Sequence, residues 1–362
     1  QYALPLPVRR MGKMYAPRVF ACLFRQLRGS PRTLWQLWRL LPSPPGMSGA
    51  LRKLWDAGCG ALLARWCMEE GIQFLYAVGA RHPATAVWVA AKLLNIPFAM
   101  TVRQDDMPHF GNDWARKAAD AAFVRCDTRE NRRRLHELLP TLPEERLVLL
   151  YAPLTLTPPD DDAVVPPPPG PRPLRILAAG TLCRRKGYDV LLRACALLRA
   201  RGVDVDLTIA GSGPLLRRLQ WLAFRLGLRK RVSFLKQTPH DAMGALYRAA
   251  DAFVAPGVTL RSGESDGLPS ALVEAMAFTL PVVVSDLPGQ REVVEDGKSG
   301  LVVPQGDPVA LANALERLAQ SPEDRERLGR EAWRGVREAL NVEHGGERLL
   351  ALFNTAFRTA RH

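Results

Sequence analysis

No acidic residue precedes Asp56. The same stretch holds ten bases, Arg9, Arg10, Lys13, Arg18, Arg25, Arg28, Arg32, Arg39, Arg52 and Lys53, and they supply most of the formal net charge of +14. Also missing is any run of about 18 uncharged apolar residues, so no membrane-spanning helix is expected. The six cysteines (Cys22, Cys59, Cys67, Cys126, Cys183, Cys195) form no C-x-x-C pair, and no histidines cluster near them. A metal site is therefore not expected, and the thiols read as reduced, mostly buried groups of a cytoplasmic protein. No DNA or RNA recognition motif accompanies the basicity, so nucleic acid is not an expected partner. An anionic membrane surface, met through residues 1–55, is the other candidate. No basic-then-apolar leader opens the chain, which begins at Gln1 rather than Met and so leaves room for residues upstream.

What the chain does have is length and rhythm. Its 362 residues, 47% hydrophobic, fit two domains with a normal core in each. Residues 14–42 mix bases with Tyr15, Phe20, Phe24, Trp35 and Trp38 at roughly helical spacing. That pattern fits a helix lying in a bilayer interface, and equally two amphipathic helices packed on a domain. From residue 60, helices expected over 61–71, 83–94, 114–121 and 128–138 alternate with strands at 73–78, 97–102, 122–125 and 147–151. Alternation of this kind means a parallel sheet covered on both faces. Residues 158–173, with Pro158, Pro159, Asp160-Asp161-Asp162 and Pro166 to Pro169, cannot continue a sheet or helix and read as a linker. The alternation then restarts, with strands at 174–179, 205–210, 232–235, 252–255, 282–284 and 300–303. Helices are expected between them at 188–201, 215–226 and 240–249, and at the chain's end.

The most informative stretch is Glu264-Ser265-Asp266-Gly267-Leu268-Pro269-Ser270-Ala271-Leu272-Val273-Glu274-Ala275-Met276-Ala277. An acidic loop runs into Gly267, and a helix is expected from Pro269 or Ser270, with Pro269 in its first turn and Ser270 helping to satisfy the free N–H groups. Such a helix start suits a phosphate or a sugar hydroxyl. Asp266 just before it and Glu274 about a turn and a half inside it would face one small ligand. Upstream, Gly180-Thr181-Leu182-Cys183-Arg184-Arg185-Lys186-Gly187 follows a strand end, where open α/β sheets bind ligands, and Gly211-Ser212-Gly213-Pro214 follows the next one.

In this register the motifs resemble retaining glycosyltransferases of the GT-B fold, family 4. The resemblance covers nearly all of the second half and, more loosely, residues 70–155. It implies an α/β protein of two Rossmann-like domains facing a cleft. The acceptor-side domain would be 1–157, the linker 158–173, the nucleotide-sugar domain 174–341, and 342–362 a helix crossing back. The implied reaction moves a sugar from a nucleotide-diphosphate sugar to a hydroxyl of a glycan or lipid-linked glycan, with retained configuration and neither metal nor cofactor. Lys186 would grip the diphosphate, with Gly180, Thr181, Arg185 and Gly213 shaping its loops. Asp266 and the Gly267-Leu268-Pro269 backbone would take the sugar, Glu274 the ribose, and Lys236 would border the base. Catalytic roles would fall to Asp266, Lys186 and Arg103.

The pattern also departs from the family. The first acid is usually Glu, so Asp266 is a shorter variant, with Glu264 as a fallback. Thr181 stands where the family has Arg, with Arg184 or Arg185 as substitutes, and Lys236 stands where Gly is usual. In Thr101-Val102-Arg103-Gln104-Asp105-Asp106, Arg103 takes the place of a His common in relatives, and Asp106 matches a later acid; His82 and His109 fit no motif. No opening strand with a Gly-rich loop is found before residue 60, so the first domain is expected to be incomplete. These departures define the alternative, a degenerate GT-B protein that binds nucleotide, sugar or a partner without turnover. For an active enzyme the resemblance and the basic N-terminus together imply work at the cytoplasmic face of a membrane.

Overall fold

The structure is a computed structural model and describes residues 17, 19, 21–22, 47–109, 112–151, 156, 172–236, 238–340 and 345–359. It divides into two compact units, one of Gln1–Cys126, Arg134–Val148 and Leu350–His362, the other of Asp127–Arg133 and Leu149–Leu349. Most of the basic aromatic stretch 14–42 and of the Pro-rich segment 158–173 lies outside the described residues. Of the former, Val19 and Cys22 are buried in a small cluster with Cys59, Ala61 and Leu62. No helix among the described residues is long and apolar enough to cross a membrane.

In the first unit, the helix expected from Ala61 begins earlier, as α1 (Met47–Glu69). There follow β1 (Leu75–Val78), α2 (His82–Leu94), β2 (Phe98–Val102), α3 (Asn112–Asp120), β3 (Val124–Cys126), α4 (Arg129–Leu138, the first unit holding it from Arg134) and β4 (Leu147–Leu149, held as far as Val148). The sheet order is β1-β2-β3-β4, with β1–β2 and β2–β3 parallel. Every residue of β2 is buried, as a strand covered on both faces requires. Trp88 is fully buried in this core and donates its indole N–H to Asp120 at 2.7 Å. Thr128 caps α4 as its position suggests, its hydroxyl accepting the Asn131 N–H at 3.1 Å. The last helix, α12 (Gly345–Thr359), sets Phe353 against Phe74, Tyr76 and Phe123, with ring centroids 5.1–6.3 Å apart within this cluster.

The second unit follows the expected alternation closely. Its elements are β5 (Leu174–Ala179), α5 (Tyr188–Ala200), β6 (Val205–Ala210), α6 (Leu216–Arg225), β7 (Val232–Leu235), α7 (His240–Ala249), β8 (Ala252–Ala255), α8 (Ser270–Ala277), β9 (Val282–Ser285), α9 (Pro288–Arg291) and β10 (Leu301–Val303). Two further helices, α10 (Pro308–Gln320) and α11 (Pro322–Leu340), were not anticipated from the sequence. Asp307 caps α10 by accepting the Val309 and Ala310 N–H groups. On α5, Leu191, Leu192, Cys195 and Leu198 fall on one face and are fully buried. Burial of that kind contributes roughly 1.5–3 kcal/mol for each large aliphatic side chain. The six cysteines are free, and all but the half-buried Cys183 are buried. Burial pushes the Cys195 thiol up to about 12, as expected of a packing residue rather than a nucleophile.

One expectation about α8 needs correction. Pro269 does not sit in the first helical turn but caps it in an extended conformation (φ −67°, ψ 131°), and no side chain caps the helix. Ser270 is instead the first helical residue and exposed, so the N–H groups of the first turn are not met by its hydroxyl.

All six strands of the second sheet run parallel in the order β10-β9-β8-β5-β6-β7. At the start of its central pair, Asp251 takes two 2.7 Å hydrogen bonds from Arg172 and further ones from the Arg175 backbone and guanidinium. Burial alone would raise this carboxyl, but the two arginines hold it at about 2, below the ordinary 3.8. A depressed folded value stabilises the protein above the unfolded value, and that contribution is lost as pH falls through the folded one. It amounts to about 2.5 kcal/mol above pH ~4 and disappears toward pH ~2. Asp251→Asn is therefore expected to cost about 2 kcal/mol at neutral pH. In urea denaturation, the gap between variant and wild type should narrow as pH drops from ~4; a constant gap would contradict this account.

Candidate functional site

The second sheet grows outward from β5 to β7, then returns and grows from β8 to β10 on the other side. The reversal between β5 and β8 opens a crevice beyond their carboxyl ends, the usual ligand position in such sheets. The loops that meet there, residues 180–187 and 256–269, are the two that the motifs single out.

Backbone contacts lace the loops together. The Val258 N–H donates to the Arg185 carbonyl at 2.8 Å. Gly187 has φ +63°, and a Cβ on it would lie 1.8 Å from the Pro256 carbonyl oxygen. Only glycine permits both the left-handed conformation and that approach. Gly213 allows a similar approach to Leu182, whose N–H donates to the Ser212 carbonyl at 2.9 Å. The Gly211-Ser212-Gly213-Pro214 turn thus braces the loop after β5.

This lacing brings Lys186 and Asp266 together, Nζ to Oδ1 at 2.8 Å, with side chains only 14% and 8% exposed. The end of the Lys186 side chain lies over Gly180: a Cβ there would meet Cε at 3.0 Å, Nζ at 3.3 Å and the Tyr188 hydroxyl at 3.1 Å. Burial first, then the negative charge of Asp266, pushes the Tyr188 hydroxyl well above the ordinary tyrosine range. It stays protonated, buried and without a hydrogen-bond partner among the described residues. The carboxamide of Gln290 on α9 is equally buried and unpartnered. Its Nε2 and the Asp266 Cβ lie 3.0 and 2.9 Å from the point where a Gly257 Cβ would stand. The ion pair is therefore flanked by two polar groups with unused hydrogen-bonding capacity, and no motif marks either of them.

Glu274 is buried in α8, and its Oε2 accepts the Tyr247 hydroxyl at 2.7 Å. Burial, followed by this carboxylate, raises the Tyr247 hydroxyl as well. The resemblance implied a Glu274 offered to a ribose; the structure engages one of its oxygens with a tyrosine.

The other nominated residues are less clustered. Gly180 and Arg185 are half-buried in the loop after β5, and Thr181 is exposed there. Gly267 and Leu268 are half-buried and Pro269 buried, with Gly289 packed against the 267–268 backbone. Lys236 is exposed just past β7, the strand at the sheet's edge, two strands away from β5. Arg103 belongs to the first unit; its side chain is 55% exposed and pairs with Asp105 at 3.7 Å. Among the described residues no group of His, Cys, Asp and Glu is arranged to hold a metal ion.

Residues 166–334 match the model of the family described as Glycosyl transferases group 1. The fold is that of GT-B glycosyltransferases, α/β with a parallel second sheet. Similar proteins include the amylovoran biosynthesis glycosyltransferase AmsK of Erwinia amylovora, 37% identical over 42% of this chain and 38% of that protein. Another is a GDP-mannose-dependent alpha-(1-6)-phosphatidylinositol monomannoside mannosyltransferase of Mycolicibacterium smegmatis, 38% identical over 42% of this chain and 40% of that protein. The match thus spans well under half the length of either relative. Among solved structures, sucrose-phosphate synthase from Thermosynechococcus elongatus superposes with a TM-score of 0.71 at 21% identity, covering 88% of this chain and 83% of its own. Anabaena Alr3699/HepE, solved in complex with UDP-glucose, gives 0.67 at 18% identity, covering 86% and 84%.

Proposed function

We propose that this protein is a retaining glycosyltransferase that moves a sugar from a nucleotide-diphosphate sugar to a hydroxyl acceptor. The observation that carries the reading is the Lys186–Asp266 pair, placed where β5 and β8 diverge and directly ahead of α8. In this reading the Lys186 ammonium leaves Asp266 for the donor's diphosphate and stabilises the charge that builds there as the sugar departs. Asp266 then turns to a sugar hydroxyl, beside the Gly267-Leu268 backbone and the start of α8. The rate comes from positioning and from electrostatics, with no protein nucleophile and no metal. Arg103 would act from the acceptor side. Relatives named for amylovoran, colanic acid and phosphatidylinositol mannoside synthesis support a cell-surface polysaccharide or glycolipid as the product. The basic aromatic stretch before Asp56 supports an anionic membrane surface, on its cytoplasmic side, as the place of work.

One observation favours a second reading, a nucleotide- or partner-binding protein without turnover: Glu274 already accepts a hydrogen bond from Tyr247. Calorimetric titration with UDP, GDP and ADP separates the two. We expect one nucleotide to bind, and Glu274→Ala to weaken it about tenfold, the loss expected for a hydrogen bond to a charged group. Binding unaffected by Glu274→Ala would remove Glu274 from the site. Binding of none of the three would overturn the donor-site assignment.

A further inference from the structure

The first unit holds a second built arrangement, around the turn that follows β1. Asp56 on α1, 9% exposed at its side chain, faces His82 at the start of α2, with Nδ1 3.2 and 3.3 Å from the two carboxylate oxygens. Asp106 is buried, and its Oδ2 accepts the N–H groups of Ala80 and Arg103, each at 3.1 Å. Lys117, 1% exposed, donates to the Ala80 carbonyl at 2.9 Å and to the Thr85 hydroxyl at 3.3 Å. Both backbone polar groups of Ala80 are thus held by buried charged side chains, and its neighbour His82 by a third. Burying charge is costly, and joining a strand to a helix does not require it. The turn lies at the carboxyl end of β1, the edge at which parallel sheets take ligands. The arrangement leaves His82 51% exposed, with its ring orientation fixed from behind and Nε2 without a partner among the described residues.

We propose that Asp56 and His82 form a hydroxyl-recognition site for the acceptor. Asp56 accepts the Nδ1–H and so fixes the tautomer, and Nε2 takes a hydrogen bond from a hydroxyl of a sugar or polyol. This rests on the transferase reading above and extends it, since the motifs left His82 without a role. Asp56 is a positioning residue; His82 touches the substrate.

The test uses the full chain labelled with carbon-13 in its histidine rings. It is titrated with methyl α-glucoside, methyl α-galactoside, methyl α-mannoside and glycerol, and followed by NMR. The His82 signal is the one absent from His82→Gln. The expected result is that at least one of these probes moves it while the other histidines stay in place; if none does, the proposal fails. Two variants exclude a merely structural tie between α1 and α2. His82→Gln carries an oxygen near the Nε2 position and should retain binding of the responding probe, read by calorimetry because the His82 signal is gone, whereas His82→Asn mimics only Nδ1 and should weaken it about tenfold. The opposite order would mean that His82 serves only to hold Asp56. Nucleotide titration reads separately: a nucleotide that binds while every glycoside leaves His82 unmoved sinks this proposal and spares the donor site.

Discussion

Lys186→Ala is expected to abolish binding of the nucleotide diphosphate and, on the transferase reading, to lower sugar transfer by about 10²–10³-fold, the loss typical of removing one charge-stabilising group. It should also destabilise the fold, which a purely ligand-binding lysine would not do. Asp266 is 8% exposed at its side chain and would lose the ammonium 2.8 Å away. Removing one partner of such a pair costs about 3–5 kcal/mol, most of it the uncompensated charge. The double variant Lys186→Met, Asp266→Leu should therefore be more stable than Lys186→Met alone while remaining inactive. Denaturant unfolding of the set, alongside calorimetry, separates the two roles of the lysine. If Lys186→Ala unfolds at the wild-type midpoint, the pair is not the buried interaction described here. Unchanged nucleotide affinity would remove Lys186 from the donor site.

Gly187→Ala has the other large expected effect. The added methyl would stand 1.8 Å from the Pro256 carbonyl oxygen, a backbone atom held in place by the neighbouring Val258–Arg185 hydrogen bond. Something must shift, and both loops of the site lie next to it. We expect a loss of at least about 3 kcal/mol from steric strain and the left-handed backbone combined, together with loss of nucleotide binding. Gly202→Ala is the control, because Gly202 has φ +78° and nothing within 4 Å of its would-be Cβ. It should cost about 1 kcal/mol, the backbone effect alone, and leave binding intact. The difference between the two variants measures the contact between the loops after β5 and β8. Equal costs would show that these loops are not locked as described.

Much of the second unit was legible because its elements follow from local pattern. Strand 174–179 is a short apolar run ending in glycine, and the α5 face carrying Leu191, Leu192, Cys195 and Leu198 has helical spacing. The first unit was harder to read. Its long α1 begins at Met47, ahead of where the apolar pattern becomes clear. Its buried polar groups, Asp56, Asp106 and Lys117, look like surface residues when only their neighbours in sequence are considered. Helix α11 carries dense charge and offers few apolar residues to mark it.

For the site, Lys186, Asp266 and Glu274 could be nominated because the motifs around them resemble those of a known family. That Lys186 pairs with Asp266, 80 residues away in the chain, could not. Nor could the seating of Glu274 on Tyr247, or the unpartnered Tyr188 hydroxyl and Gln290 carboxamide beside the pair. Local sequence sets the alternation of strand and helix and the residue types at each strand end, because backbone propensity and amphipathic period act over a few residues. Tertiary structure decided which strand ends became neighbours, and hence which charges met and which polar groups were left without partners. Those outcomes depend on strand order and on burial, and neither is a property of any local stretch of chain.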